Sequence, residues 1–291
     1  QFLTQLTKRQ GNMTTQAHRL DPPAKQASEH EERLIIRGGK PLHGQVRIFG
    51  AKNAVLKMMA AALLAKDVTI LRNVPNLTDV HMMAEVLRHL GAKVEIGNDE
   101  VKIDATNLTE IEAPYELVSQ LRASFVVLGP LLARCKEAKV SLPGGCAIGE
   151  RRIDLHERGL KLLGAEVSIE HGYVYASAQK LVGTRVYLDK PSNGATENIM
   201  LAAALAEGQT IIENAAQDPE IVNLADCINA MGGKVSGAGT YQIVIDGVPV
   251  EEMHGAVVDT IPDRLEVGTF LYATMAAGGE VIIDGVAAHH I

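Results

Sequence analysis

Four stretches of the sequence share one pattern of apolar and polar positions. Each starts with an Ala- and Leu-rich run of helical character, passes through a short polar turn and ends in a β-branched strand. In sequence letters they are AALLAKDVTIL, PLLARCKEAKVSL, AAALAEGQTIIEN and ATMAAGGEVIIDG. Their equivalent strand positions, Val68, Val140, Ile211 and Val281, lie about 70 residues apart, which predicts a repeated structural unit.

A second feature recurs in phase with the first. Helical patterns end at a glycine and lead directly into a strand within residues 90–94, 163–167 and 231–235. Glycine just past a helix end supplies the left-handed backbone conformation that closes the helix. Each unit is therefore predicted to contain helix, strand, helix and strand, with extra short strands between them. The predicted fold class is mixed α and β, α/β (α+β).

The repeat also predicts how the chain is organised. Three complete units fit within residues 50–260, which we expect to form one domain. Residues 261–291 begin a fourth unit that lacks its second helix, so we expect the sequence to be incomplete and this part to start a second domain. Residues 1–33 are polar and without periodicity, which predicts a disordered extension.

Composition and charge exclude several classes of protein. The net charge of −7 argues against a nucleic-acid-binding protein, and the apolar run around residues 58–65 is too short to cross a bilayer. Three widely spaced cysteines make no disulfide framework, and the first ten residues lack the apolar centre of a secretory signal. We expect a cytoplasmic protein.

A glycine-rich loop with a cysteine is the sharpest chemical feature. Cys146 follows Gly144-Gly145 after a predicted strand, and Arg151 lies five residues on, before the next helix. A nearby guanidinium and a helix N-terminus both favour the thiolate, so Cys146 is a candidate acid or nucleophile. The alternative is a cysteine that only fills space in a turn. Cys135 and Cys227 lie in helical patterns and are expected to be buried and inert.

A basic residue recurs where the first helix of each unit begins. The four residues are Lys52, Arg122, Lys190 and Arg264. Helix starts that point the same way, each with a cation, would form one pocket for anions. The alternative for Lys52-Asn53 is a solvated lysine beside an asparagine helix cap. The ten histidines show no metal-ligand spacing and no Walker-type loop is present, so we expect no metal and no cofactor.

Several short segments together resemble a known family, the bacterial UDP-N-acetylglucosamine enolpyruvyl transferases. The resemblance runs from about residue 34 to the end and is most specific in the cysteine loop. The segments that carry it are GAKN (50–53), LRAS (121–124), LPGGC (142–146), DLH (154–156), GAT (194–196), PEIV (219–222) and PDR (262–264).

The resemblance implies both a fold and an activity. The fold would be an inside-out α/β barrel of repeated βαβαββ units, like that of EPSP synthase, with helices inside and sheets facing solvent. The strand within residues 34–49 would belong to the second of two domains. The activity would be transfer of the enolpyruvyl group of phosphoenolpyruvate to the 3′-hydroxyl of UDP-N-acetylglucosamine, releasing phosphate, at the start of peptidoglycan synthesis.

The resemblance also implies roles for individual residues. Lys52, Arg122 and Arg151 would clamp phosphoenolpyruvate, and Asn53 would contact the sugar. Cys146 would donate a proton to the methylene carbon, form a covalent adduct and react with fosfomycin. The residues implied to line the uridine and diphosphate are Arg151, Arg152, Ile153, Asp154, Leu155, Lys190, Ser192, Asn193 and Gly194.

Three departures from the family pattern keep alternatives open. Arg152 stands where the family commonly has proline, and Pro191 and Asn193 flank Ser192 in a loop whose neighbours often differ. The sequence also stops before an expected aspartate base and further arginines. We therefore expect the 291-residue chain alone to be inactive or nearly so. The alternatives are a non-catalytic truncated paralogue that binds a UDP-sugar and a sister enolpyruvyl transferase with another acceptor. No protein partner is expected.

Overall fold

The first helix of each repeat lies at the centre of the molecule. The computed structural model describes residues 38–119, 121–142 and 153–291. The central helices are α1 (Lys52–Ala61), α4 (Leu128–Cys135, after a 3₁₀ turn at Arg122–Val127) and α6 (Asn193–Ala203). Nearly all their apolar side chains are fully buried. Helices that are apolar on all sides need neighbours on all sides, and small residues let these three pack closely.

The second helix of each repeat packs against this centre through one apolar face. These helices are α2 (Thr78–His89), α5 (Asp154–Leu162) and α7 (Pro219–Ala230). In α2 the buried residues include Val80, Met83 and Leu87, which share one face of a helix. A short helix, α3 (Tyr115–Val118), and a final long one, α8 (Arg264–Ala277), complete the described α-helices.

The predicted glycine caps are confirmed at the three equivalent positions. Gly91, Gly164 and Gly232 have φ values of 103°, 95° and 96°. In each case the N–H of the following residue reaches back to the helix, for example from Ala92 to the carbonyl of Leu87 at 3.0 Å. This is the bond pattern of a helix that ends in the left-handed region and turns sharply into a strand.

Each repeat contributes strands to an outer sheet. The strands are β2 (Val68–Arg72), β3 (Lys93–Ile96), β4 (Glu100–Asp104), β5 (Glu112–Ala113), β6 (Glu137–Ser141), β7 (Glu166–Glu170), β8 (Tyr173–Ser177), β9 (Arg185–Tyr187), β10 (Gln209–Glu213), β11 (Lys234–Ser236), β12 (Gln242–Asp246) and β13 (Val257–Asp259). In the described part of the chain they form three four-stranded sheets, in the orders β13-β2-β4-β3, β5-β6-β8-β7 and β11-β12-β10-β9. Alternate residues are buried, as Val101 and Ile103 are in β4, because only one face of each sheet meets the helices.

Parallel strand pairs link the three repeats into a closed ring. The last strand of each repeat pairs with the first strand of the next: β5 with β6, β9 with β10, and β13 with β2 of the first repeat. The prediction of βαβαββ units with helices inside and sheets outside is confirmed. The described strands do not form one continuous β-barrel. They form separate sheets, and each four-stranded sheet contains one strand from the neighbouring repeat.

The fourth repeat begins with a helix and a strand like the others, and its strand pairs with the first described strand of the chain. Helix α8 leads into β14 (Gly279–Asp284), which pairs in parallel with β1 (Leu42–Arg47) in a sheet of its own. Helix α8 exposes apolar side chains that the equivalent helices bury, among them Tyr272 (74% exposed) and Met275 (80%). The division of the chain into two domains near residue 260 stays a prediction. Within the described residues, no helix combines the length and the apolar character that crossing a bilayer requires.

Candidate active site

The starts of the three central helices open onto one cavity of about 920 Å³. All the predicted site residues within the described part of the chain line it. Cys146, Arg151 and Arg152 lie outside the described residues. The predicted residues that line the cavity are Lys52, Asn53, Arg122, Ile153, Asp154, Leu155, Lys190, Ser192, Asn193 and Gly194.

Contacts with the fourth repeat and with Asp79 hold the first helix start in place. The N–H of Ala51, the residue before α1, donates to the carbonyl of Ile261 at 2.7 Å. The N–H of Lys52 donates to the Asp263 carboxylate at 3.2 Å, and the Lys52 ammonium lies 2.9 Å from Asp79. Ala51 is the residue that precedes the helix, so the alternative of Asn53 as its cap is wrong; Asn53 is an exposed residue of the first turn.

The second and third helix starts bring basic residues to the same cavity. Arg122 begins the 3₁₀ turn that leads into α4. Lys190 is exposed and precedes Ser192, whose hydroxyl accepts a hydrogen bond from the N–H of Ala195 at 3.4 Å and caps α6. Because unpaired N–H groups at a helix start attract negative charge, the cation and the helix end act in the same direction at each junction.

The fourth basic residue is already neutralised by neighbouring acids. Arg264 lines the cavity, but its Nη2 lies 2.6 Å from Asp218 and its Nε lies 3.1 Å from Glu220. A guanidinium held between two carboxylates contributes little positive charge to a bound anion. The repeat pattern therefore predicts the position of Arg264, but it does not predict that two carboxylates pair with its charge.

A buried ion pair forms part of the cavity that sequence analysis missed. The Lys57 ammonium on α1 lies 3.0 Å from the Glu197 carboxylate on α6, with 13% and 4% of the two side chains exposed. Both residues interrupt apolar runs of the central helices. A charged residue within a helix that is otherwise apolar is the signal that could have found them, because a buried charge needs a partner.

His156 lines the cavity and contacts two neighbouring side chains. Its Nδ1 lies 3.0 Å from the amide nitrogen of Asn198, and its ring meets that of Phe125 edge to face at 5.2 Å. Burial, followed by the positive charge of Lys57, lowers the pKa of His156 to about 4. The sequence placed His156 in a family motif but assigned it no role.

The two described cysteines are poor candidates for a reactive thiol. Cys227 is fully buried in α7, so the prediction of a buried thiol is confirmed there, and burial raises the pKa of this thiol to about 12. Cys135, at the end of α4, is only half-buried, although burial again raises its pKa. Among the described residues, no group of three or more His, Cys, Asp or Glu side chains could hold a metal ion.

Comparisons with known proteins agree with the predicted resemblance. The chain is 51% identical over 259 residues to UDP-N-acetylglucosamine 1-carboxyvinyltransferase 1 of Caldanaerobacter subterraneus. It is 54% identical over 260 residues to UDP-N-acetylglucosamine 1-carboxyvinyltransferase 2 of Carboxydothermus hydrogenoformans. Each match covers 89% of this chain but 62% of the relative, so the chain spans less than two thirds of these relatives' length.

Solved structures and a family profile lead to the same family. The enolpyruvyl transferase NikO from Streptomyces tendae superposes with a TM-score of 0.76 at 25% identity, over 85% of this chain and 59% of that one. EPSP synthase from Acinetobacter baumannii shares the fold, with a TM-score of 0.66 at 19% identity, over 86% of this chain and 57% of that one. The profile described as EPSP synthase (3-phosphoshikimate 1-carboxyvinyltransferase) matches residues 36–291. The chain therefore belongs to the EPSP synthase family of carboxyvinyl transferases.

Proposed function

We propose that this chain carries a substrate cavity of an enolpyruvyl transferase that acts on UDP-N-acetylglucosamine. The enolpyruvyl group of phosphoenolpyruvate would move to the 3′-hydroxyl of the sugar, and phosphate would be released. The observation that carries the proposal is the single cavity in which three repeats present a basic residue, Lys52, Arg122 and Lys190, at a helix start. The names of the relatives at 51–54% identity support this acceptor.

The charge of the cavity suits phosphoenolpyruvate. This substrate carries a phosphate and a carboxylate, and both lose water when they enter a cavity. Lys52 and Arg122, with the predicted Arg151, would offset that loss through charge-assisted hydrogen bonds. Lys52 already lies 2.9 Å from Asp79, so binding would exchange one carboxylate partner for another.

Other residues of the cavity lining suit a nucleotide sugar. Asn53 would contact the sugar, while Ile153 to Leu155 and Lys190 to Gly194 would line the uridine and diphosphate. A volume of about 920 Å³ is at the upper end of the usual range for small-molecule sites, as two substrates require. The role of Arg152 beside the uridine belongs to the same proposal.

Cys146 would supply the proton that the reaction needs. The methylene carbon of phosphoenolpyruvate must gain a proton as the sugar oxygen attacks the neighbouring carbon, which suits an acid with a pKa near neutral. Cys146 would also form the covalent adduct with the substrate and be the site of fosfomycin alkylation. Both substrates are cytosolic metabolites, so a cytoplasmic location and a place in cell-wall synthesis go with the proposal.

Ligand binding by the 291-residue chain tests the acceptor. By isothermal titration calorimetry we expect saturable binding of UDP-N-acetylglucosamine and none of shikimate 3-phosphate. Lys190→Ala removes a cation from the proposed diphosphate site and should weaken binding about tenfold. Lys180→Ala is the matched control, because Lys180 pairs with Glu207 at 2.8 Å outside the cavity lining. Tighter binding of shikimate 3-phosphate, or equal affinities of the two variants, would contradict the proposal.

Alkylation tests the proposed role of the cysteine loop. With limiting iodoacetamide near pH 7, peptide mass spectrometry should find Cys146 modified well before Cys135, and Cys227 last. The order follows because the thiolate is the nucleophile and burial raises the pKa of both other thiols. Fosfomycin should modify Cys146 alone. Preferential labelling of Cys135 would count against an activated Cys146.

A further inference from the structure

Asn198 connects the second and third repeats beside the cavity. It lies on α6, is fully buried, and uses its whole amide group. Its Oδ1 accepts from the N–H of Gly129 on α4 at 2.6 Å, and its Nδ2 donates to the carbonyl of Phe125 at 3.3 Å. The same Nδ2 lies 3.0 Å from Nδ1 of His156 on α5. A polar side chain in the centre of a helical core is tolerated because these bonds replace water.

The two backbone partners allow only one orientation of this amide. The N–H of Gly129 can only donate, so it requires the amide oxygen, and the carbonyl of Phe125 can only accept, so it requires the amide nitrogen. A flipped amide would put donor against donor and acceptor against acceptor. The NH₂ group therefore faces His156.

The orientation of Asn198 decides which ring nitrogen of His156 carries the hydrogen. Because Nδ1 faces an NH₂ group, Nδ1 must accept. A neutral imidazole then has its hydrogen on Nε2. Protonation of the ring would add a hydrogen to Nδ1, where it would meet the amide hydrogen that points at this nitrogen, so this contact opposes the charged form.

The charges around the ring act mostly in the same direction. Lys57 on α1 and Arg122 at the start of the 3₁₀ turn both disfavour an imidazolium, and Asp154 on the same helix as His156 favours it. Glu197, next to Asn198, is paired with Lys57. Burial is the largest influence, and together these effects lower the pKa of His156 to about 4.

The edge of the ring that carries the hydrogen faces the start of α6. A Cβ atom added to Gly194 would lie 3.1 Å from both Nε2 and Cε1 of His156. Glycine at position 194 avoids crowding this edge of the ring, and both residues line the cavity.

We propose that Asn198 is a positioning residue that holds His156 as the neutral, Nε2-protonated imidazole, so that the cavity offers an uncharged N–H donor to an oxygen atom of the bound sugar nucleotide. The identity of the ligand rests on the proposed function, whereas the state of the ring does not. A neutral donor adds directionality without a further positive charge beside Lys57 and Arg122. It also keeps the same charge across the physiological pH range.

The state of the ring is measurable without ligand. In the ¹⁵N-histidine-labelled 291-residue chain, two-bond ¹H–¹⁵N spectra distinguish the two neutral tautomers and the imidazolium. We expect His156, identified by loss of its signals in His156→Gln, to show the Nε2–H tautomer with no titration above about pH 5. A hydrogen on Nδ1, or a titration midpoint above about 6, would overturn the proposal from the unmodified protein alone.

Asn198→Asp tests the positioning role. A carboxylate keeps an acceptor for the N–H of Gly129 but also accepts from Nδ1–H, so the pKa of His156 should rise by at least about one unit. Asn229→Asp is the control with the same change of charge. Asn229 on α7 bonds the backbone of Val235 through both amide atoms, and it does not line the cavity. An unchanged His156 in Asn198→Asp, with the tautomer intact, would show that Asn198 does not control the ring.

Ligand titration separates this inference from the proposed function. In Asn198→Asp, the dissociation constant for UDP-N-acetylglucosamine should change with pH between about 5.5 and 8 by at least threefold more than in the unmodified chain, since the ring now changes its charge. If the unmodified chain shows the expected tautomer but binds no UDP-N-acetylglucosamine, the proposed function fails and the tautomer assignment stands. If both proteins bind with the same pH dependence, the donor role fails and the proposed function stands.

Discussion

Gly50→Ala is expected to destabilise the folded chain by about 3 kcal/mol or more. A Cβ atom at this position would overlap the carbonyl oxygen of Asn73 and lie 2.9 Å from its carbon and 3.1 Å from the Cβ of Thr260. Asn73 has little freedom to retreat, because it has a left-handed backbone with a φ of 54° and its side chain donates to the carbonyl of Thr260 at 2.9 Å.

A second glycine provides the control for this substitution. Gly268 lies inside α8, and a Cβ added there would meet no atom within 4 Å. Alanine is the better helix former by about 0.5–1 kcal/mol, so Gly268→Ala should stabilise the protein slightly. Urea unfolding followed by circular dichroism compares the two variants. Equal midpoints would contradict the steric explanation.

This contact gives a structural reason for a glycine in the segment 50–53. Gly50 comes two residues before Lys52, at the start of α1. The atoms that require glycine belong to the chain itself, since the backbone of Asn73 occupies the space of a side chain. Gly50 acts on the cavity indirectly, by allowing the approach that places Lys52 at its edge.

Replacing one partner of the buried ion pair should lower the free energy of unfolding more than replacing both partners. Lys57→Met and Glu197→Leu each leave one charge buried without its partner, and each is expected to lower the free energy of unfolding by about 3–5 kcal/mol. The double variant replaces both charges by apolar groups of similar size, so its stability should return to within about 1–2 kcal/mol of the parent. The double-mutant cycle gives the coupling between the two side chains.

An exposed pair of similar geometry is the control for the cycle. Lys180 and Glu207 lie 2.8 Å apart with 63% and 64% of their side chains exposed. Water screens both charges, so their coupling should stay below about 1 kcal/mol. If the effects of Lys57→Met and Glu197→Leu were additive, the pair would not be a coupled buried contact.

The repeat made much of the fold predictable. Helical runs, β-branched strands and glycine caps depend on nearby residues, because a helix face recurs within a turn and a positive φ is a property of one residue. Gly91, Gly164 and Gly232 were predicted as caps for that reason, and each has the left-handed backbone. The basic residues recur at the same position of each repeat, at the start of its first helix. Because equivalent helix starts point the same way, the basic residues were expected to meet at one cavity.

The sequence by itself therefore determined the units, their elements and the positions of the cations, since these depend on local periodicity. Only the tertiary structure decided which charges remain available. Lys57 and Glu197 are 140 positions apart, and Asn198 lies 42 positions from His156. Whether Arg264 meets Asp218 depends on how the third repeat packs against the fourth. Such contacts form only when the repeats close into a ring and bury their inner faces. They join residues far apart in the sequence, so the local pattern of apolar and polar positions does not predict them.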